Sequence, residues 1–216
     1  MAETNDQDVP VPLAEKLKGL TGFFGIRLVE QPEYYILRSD GEKEVRKYHP
    51  MMMASVIVPV ESGLQKAREN AFMNLAAYIF GRNETSLHIP MTAPVLEEHH
   101  CSKRDLKLPV SERLQTGVLM MSFILPINYG PENTPSPLDS RIILHRKPTH
   151  KLASIAYSGH NDSEKLQAKE AELRNWVRGF PNYRTQEEVV VAQYDGPSTP
   201  AFLRKNEIHI EIRCVI

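Results

Sequence analysis

Met53-Ala54-Ser55-Val56-Ile57 and Leu152-Ala153-Ser154-Ile155-Ala156 are the two stretches whose reading decides the fold. Both are short, apolar, β-branched runs of strand length, and a helical pattern follows each. After the first, Leu64, Ala67, Ala71, Phe72, Leu75, Tyr78 and Ile79 recur at helical spacing. Ser62 and Gln65 fit a capping box, and Gly81 suits the left-handed cap, so a helix is expected near 62–80. After the second, Asp162 or Ser163 caps a stretch whose Leu166, Leu173, Trp176 and Val177 share a stripe, and Gly179 closes it, giving a helix at 163–178. The starts of the two helices echo one another as well: Leu64-Gln65-Lys66-Ala67 resembles Leu166-Gln167-Ala168-Lys169.

Working outward, strand-like runs lie at 34–38 and 44–48, joined through Asp40-Gly41, a hairpin signal. Further runs lie at 51–58, 87–96, 117–126, 141–146, 151–157, 188–194 and 206–214. In the last, Ile208, Ile210 and Ile212 alternate with His209, Glu211 and Arg213. Residues 97–116 are polar and 131–137 proline-rich, and both are expected to be loops. The order strands, helix, strands thus occurs twice, in half-repeats of about 30–126 and 140–214. Neither half buries its own sheet, so the expectation is one fused α+β domain over 25–216, with both helices on a common, strongly curved sheet. Residues 1–24 are expected to form an arm, disordered over 1–12, with a short helix from Leu13 to Leu20.

Composition narrows the function. Among 216 residues, 41% are hydrophobic and 25% charged, with a formal net charge of −1, so no basic face marks a nucleic-acid binder. No apolar run reaches a membrane span, and the acidic start Met1-Ala2-Glu3 resembles neither a secretory signal nor a transit peptide. Cys101 and Cys214, far apart and without CxxC spacing, are expected to be unjoined thiols of a cytoplasmic protein.

No phosphate loop, nucleophile elbow or zincin motif is present. Glu97-Glu98-His99-His100-Cys101 has zinc-ligand chemistry, but adjacent residues do not converge on one ion, and a solvated loop is the plainer reading. His49 stands before Met51, Met52 and Met53, and His and Met are both axial ligands of haem iron. On a continuous strand Lys47, His49 and Met51 would share a face, while a strand-end histidine beside core methionines is the simpler account. His88, His145, His150, His160 and His209 read as surface or strand-exposed. On the first helix Phe72, Met73 and Tyr78 are either core or the wall of a groove for a flat apolar ligand, with Lys66, Arg68 or Arg82 at its rim.

Several stretches resemble the SOUL haem-binding family. Glu44-Val45-Arg46-Lys47-Tyr48-His49-Pro50 is similar to its E-[IV]-R-x-Y-x-P strand. Tyr78-Ile79-Phe80-Gly81-Arg82-Asn83 resembles its Y-I-x-G-x-N, and Ile89-Pro90-Met91-Thr92-Ala93-Pro94-Val95 its I-x-M-T-x-P-V. Met121-Ser122-Phe123-Ile124-Leu125-Pro126 matches M-S-F-x-[LM]-P, and Tyr194-Asp195-Gly196-Pro197 through Arg204-Lys205-Asn206-Glu207-Ile208 its ending. The resemblance implies a distorted antiparallel β-barrel of about eight strands flanked by two helices, with internal pseudo-symmetry. It implies binding of haem, and of iron-free porphyrin, for buffering, transport or delivery rather than catalysis. Some members place an axial histidine before the motif tyrosine; here Lys47 stands there, and His49 is the substitute metal ligand. Other members hold porphyrin in an apolar cleft beside the first helix, whose analogues here are Arg68, Phe72, Met73 and Ala76.

Two other readings differ in class. The related gyrase-inhibitor-like fold carries small-molecule effector-binding and hydrolase domains; such chemistry needs a carboxyl of raised pKa in a cleft, and Glu207 and Glu211 share a strand face. A protein-interaction module would instead show a large exposed apolar patch. The sequence sets no oligomeric state.

Overall fold

The computed structural model describes residues 9–10, 29–100, 117–196 and 199–215. Eleven strands are β1 (Val9–Pro10), β2 (Tyr34–Asp40), β3 (Lys43–Tyr48), β4 (Met51–Pro59), β5 (Val95–His100), β6 (Val118–Ile124), β7 (Ile142–Lys147), β8 (His150–Ser158), β9 (Tyr183–Thr185), β10 (Val190–Gln193) and β11 (Lys205–Cys214). Two helices, α1 (Leu64–Ile79) and α2 (Ser163–Arg178), follow β4 and β8. All strand pairs are antiparallel, in the order β1-β2-β3-β8-β11-β10-β5-β6-β4-β7, with β9 added beside β11. The result is a single α+β domain built on an open, curled half-barrel.

The curl can be measured. Lys147 on the edge strand β7 ion-pairs with Glu211 on β11 at 2.6 Å, although five strand spacings separate them. In a flat sheet those spacings would amount to about 24 Å. The sheet therefore folds over so that its far side meets its middle.

The order is also palindromic. Outward from the central pair β5–β10 run β6-β4-β7 on one side and β11-β8-β3 on the other. Glu97 opposes Val191 at the centre, and Ser55 opposes Ser122 as Ser154 opposes His209. Adding 99 to each residue number carries Met51–Pro59 onto His150–Ser158, and Leu64–Ile79 onto Ser163–Arg178. The strand echo noted in the sequence lies in this register, whereas the helix echo is three residues out of it. β3 leads into β4 but pairs with β8, and β7 leads into β8 but pairs with β4. Each half lends the strand just before its long β4 or β8 to the other, which supports the proposal that 30–126 and 140–214 are two copies of one fused unit.

One face of the sheet carries the helices. Met52, Ala54, Val56 and Val58 of β4 and Leu119, Met121 and Phe123 of β6 pack under α1 through Ala67, Ala71, Leu75, Tyr78 and Ile79. Ala153, Ile155 and Tyr157 of β8 and Ile208, Ile210 and Ile212 of β11 pack under α2 through Leu166, Leu173 and Val177. Met53, Leu96, Ile124 and Ala192 form a smaller cluster on the opposite face.

Local chemistry explains most boundaries. Gly41 supplies the positive φ of the β2–β3 turn, Gly81 that of the turn after α1, and Asp162 accepts from the Lys165 N–H at 2.8 Å to cap α2. Other expectations are corrected. α1 begins at Leu64 on a Gly63 cap with no side-chain cap bond, so Ser62 and Gln65 make no capping box; Gln65 bonds Glu69 instead. Of the strand expected at 87–96 only Val95 and Leu96 are in β5, because the chain at 87–94 is held by single bonds to its neighbours and not by a ladder. Glu97 to His100, expected to be loop, continue β5; the rest of that polar stretch, with Cys101, lies outside the described residues. Val9–Pro10, expected to be disordered, pairs with β2, and the helix expected at Leu13–Leu20 lies outside the described residues. Cys214 is a free, exposed thiol.

Candidate functional site

The alternation of a strand brings Glu44, Arg46 and Tyr48 of β3 to the face opposite the helices. Across it stands Glu207 of β11, fully buried. Arg46 donates to both Glu207 oxygens, at 2.7 and 3.1 Å, and to Glu44 at 2.6 Å. Tyr194 O–H donates to Glu207 at 2.8 Å, Lys205 lies 3.2 Å away, and His209 Nε2 is 2.7 Å from the carboxylate. Tyr34 lies under the Arg46 guanidinium, 4.5 Å from its centre. Glu207 and His209 (5% exposed) on the last strand's polar face are therefore buried, not solvated, while Glu211 is half-buried and Arg213 exposed.

Burial works to raise the Glu207 carboxyl, but Arg46, His209 and Lys205 outweigh it and hold the group well below its ordinary value. Burial lowers the His209 imidazole, and its bond to Glu207 only partly opposes this. His209 is thus neutral, with Nε2–H as donor to an ionised carboxylate. Both shifts make acid destabilising. The unfolded chain out-competes folded His209 for protons below about pH 6.5, and the stability from Glu207, present above about 4.5, is lost as pH falls through its folded value. The free energy of unfolding, from urea titrations from pH 8 down to about 3, is expected to fall in two stages. His209→Gln, which keeps a donor without titrating, should flatten the first; an unchanged slope between pH 6.5 and 5 would remove His209 from this account. His145 and His150, also lowered mainly by burial, contribute to the same stage.

This inner face does not supply the base that a hydrolase would need from Glu207, because that group is held down, not raised. Glu98 on β5 is raised, by burial first, with Lys147 and His100 opposing.

The second region is α1. Arg68 donates to Glu97 at 2.8 Å, and Gln193 donates to the other Glu97 oxygen at 2.6 Å. Glu97 is 2% exposed, and Arg68 Nη2 is buried without a partner among the described residues. One helix turn on, Phe72 meets Phe123 edge-on at 5.4 Å. Ala76 is buried at 6%, whereas Met73 is 66% and Phe80 59% exposed. Phe80 N–H still bonds Ala76 O at 2.9 Å, so its side chain extends the stripe of Met73 two turns further. Phe80 was missed in the sequence because Gly81 marked the helix end; the seven-residue spacing from Met73 is the signal that finds it.

The turn after α1 is tightly made. Asn83, 1% exposed, donates to Tyr78 O and Leu87 O and accepts from Leu87 N–H and Thr85 O–H. Ile89 N–H bonds Ile79 O at 2.7 Å, and Phe80 bridges to His88. Tyr78 O–H donates to Pro135 O, and burial pushes its phenol up to about 12. Asn83→Ala would orphan several of these groups, and a loss of about 2–3 kcal/mol in urea unfolding is expected; a loss under about 0.5 kcal/mol, that of an ordinary surface change, would refute this role.

Lys47 and His49 are elsewhere. Lys47 sits on the Val45 side of β3, while Met51 packs with the cluster on the opposite sheet face, and β3 and β4 do not pair. The strand face expected for Lys47, His49 and Met51 does not exist, because the chain leaves the ladder at His49-Pro50. His49 is exposed, leans on Tyr35 at 5.0 Å and lines a small hollow with Glu30, Glu33, Met51, Ile124 and Tyr129. No residue of α1 lines that hollow. Among the described residues no three His, Cys, Asp or Glu side chains converge on a metal site, and no helix is long and apolar enough to cross a membrane.

The family model of the SOUL heme-binding protein matches residues 29–211. The chain belongs to the SOUL haem-binding family. Heme-binding protein 2 of Mus musculus is 24% identical over 157 residues, covering 73% of this chain and 72% of that protein. Among solved structures, an uncharacterized conserved protein from Listeria innocua superposes with a TM-score of 0.56 at 13% identity, covering 82% of this chain and 95% of that one. The EcmrR C-terminal domain gives 0.53 at 14% identity (80% and 98%), and a hydrolase from Listeria innocua 0.51 at 14% (82% and 94%). These last three share the fold. The SOUL motifs now have physical roles: Arg46 of the first meets Glu207 of the last, and Tyr78, Gly81 and Asn83 build the turn that closes α1.

Proposed function

We propose that this SOUL chain binds haem and iron-free porphyrin on the outer face of α1, and that it serves to buffer, transport or deliver them in the cytoplasm. One observation carries the placement. The fold repeats itself, so α2 shows what such a helix needs for stability alone. At the positions equivalent to Phe72, Met73 and Phe80, α2 and its cap carry Ala171, Glu172 and Gly179. The exposed apolar stripe of α1 is thus no requirement of the architecture. A porphyrin face matches it, since burying apolar area is worth roughly 25 cal/mol per Å².

Of the residues expected to hold the ligand, Phe72, Met73 and Ala76 stand on this helix, with Ala76 serving as its floor. Arg68 flanks the stripe, but Glu97 already neutralises it, so a propionate finds a freer cation in the exposed Arg82 beyond Phe80. Bound iron would supply ligand exchange and redox chemistry; the chain supplies an apolar seat and a cation. Titration with haemin and with protoporphyrin IX, followed by absorbance and by tryptophan quenching, tests the reading. Both are expected to bind, with affinities within about tenfold of one another. Failure of both to bind below about 100 μM, roughly −5.5 kcal/mol, would overturn it.

A further inference from the structure

We propose that His88 is the side chain of this protein that coordinates haem iron, an inference that rests on the α1 seat above. The His88 ring stands beside the Phe80 ring, 5.1 Å between centres and tilted by 39°. Both side chains are exposed at the end of the stripe formed by Met73 and Phe80. The two rings are close enough for one flat ligand on the stripe to meet both. Among the described residues neither nitrogen of His88 has a hydrogen-bond partner, which leaves a lone pair for the metal.

The backbone under this imidazole is fixed in advance. The Phe80–His88 bridge, the bond from Ile89 N–H to Ile79 O, the positive φ of Gly81 and the four bonds of Asn83 hold the segment against the helix. Ligation therefore costs little ordering beyond the side chain itself. His49 lacks these features: it leans on Tyr35 over a hollow that no α1 residue lines. A haem seated on α1 is not within its reach by any contact of that hollow.

The test uses the full chain with haemin and, in parallel, protoporphyrin IX. His88→Gly is expected to shift the Soret band and change the spin state of bound haemin, and to weaken haemin about tenfold. Its affinity for protoporphyrin IX should not change, and added imidazole should restore the wild-type spectrum. His49→Ala should leave both spectrum and affinity as they are. An unaltered haemin spectrum in His88→Gly, with wild-type protoporphyrin binding intact, would overturn the assignment of His88 and leave the α1 seat standing. Loss of the axial signature in His49→Ala instead would overturn it in favour of the hollow. Absence of binding by either tetrapyrrole would remove the seat and the ligand together.

Discussion

Glu207→Ala is expected to destabilise the protein by about 3–5 kcal/mol, the largest effect of any single substitution considered for its inner face. The loss comes from what remains. Arg46, 4% exposed, keeps its charge, because a guanidinium is too weak an acid to lose its proton even when buried. After the substitution it faces Tyr48 and Tyr34 with Glu44 as its one carboxylate, and the Tyr194 hydroxyl loses its acceptor. Replacing both ends by apolar residues of similar size, Arg46→Met with Glu207→Leu, should recover most of the stability, since no buried charge is left unpaired. Urea unfolding of the three proteins measures this. A single variant within about 1 kcal/mol of wild type, a typical surface value, would mean that water reaches the guanidinium and that the cluster is not sealed.

The second large effect is on binding. Met73→Asp with Phe80→Asp is expected to weaken haemin and protoporphyrin IX by at least about a hundredfold, or about 2.7 kcal/mol, because two carboxylates would face an apolar macrocycle without partners. Both side chains are more than half exposed, so the fold should lose little. Phe202, 76% exposed in the short turn before β11, is the control: Phe202→Asp removes a phenylalanine more exposed than Phe80 and should leave affinity unchanged. Equal losses in the two variants would show that the tetrapyrrole adheres to apolar surface at large. Ala76→Asp is a poor probe here, because Ala76 is buried and a carboxylate there would disturb the packing of α1 itself.

Much of the architecture was legible because it rests on local rules. Period-two runs and 3.6-period stripes placed both helices within two residues and most strands within three. The matching pentapeptides at 53–57 and 152–156 showed the duplication, and the structure puts them in one register. Where the reading failed, a long-range partner had reversed a local preference. Glu97 looks like loop by its charge, yet Arg68, 29 residues before it, and Gln193, 96 residues after it, make its burial affordable. Glu207 and His209 look like a solvated strand face until Arg46, 161 residues away, is known to stand opposite.

By itself, then, the sequence determined which segments become strands and helices, that the unit occurs twice, and that the chain carries the motifs of its family. These are properties of side-chain periodicity and backbone preference, which need no knowledge of what lies across the sheet. Only the tertiary structure decided the exchange of β3 and β7 between halves, the curl that joins Lys147 to Glu211, and the sealing of Arg46 on Glu207. It also parted His49 from α1 and brought His88 to Phe80. Those outcomes depend on the pairing free energy of groups distant in sequence. A charge is buried only when its partner arrives, and a ring is left exposed only when the packing of every neighbouring element passes it by.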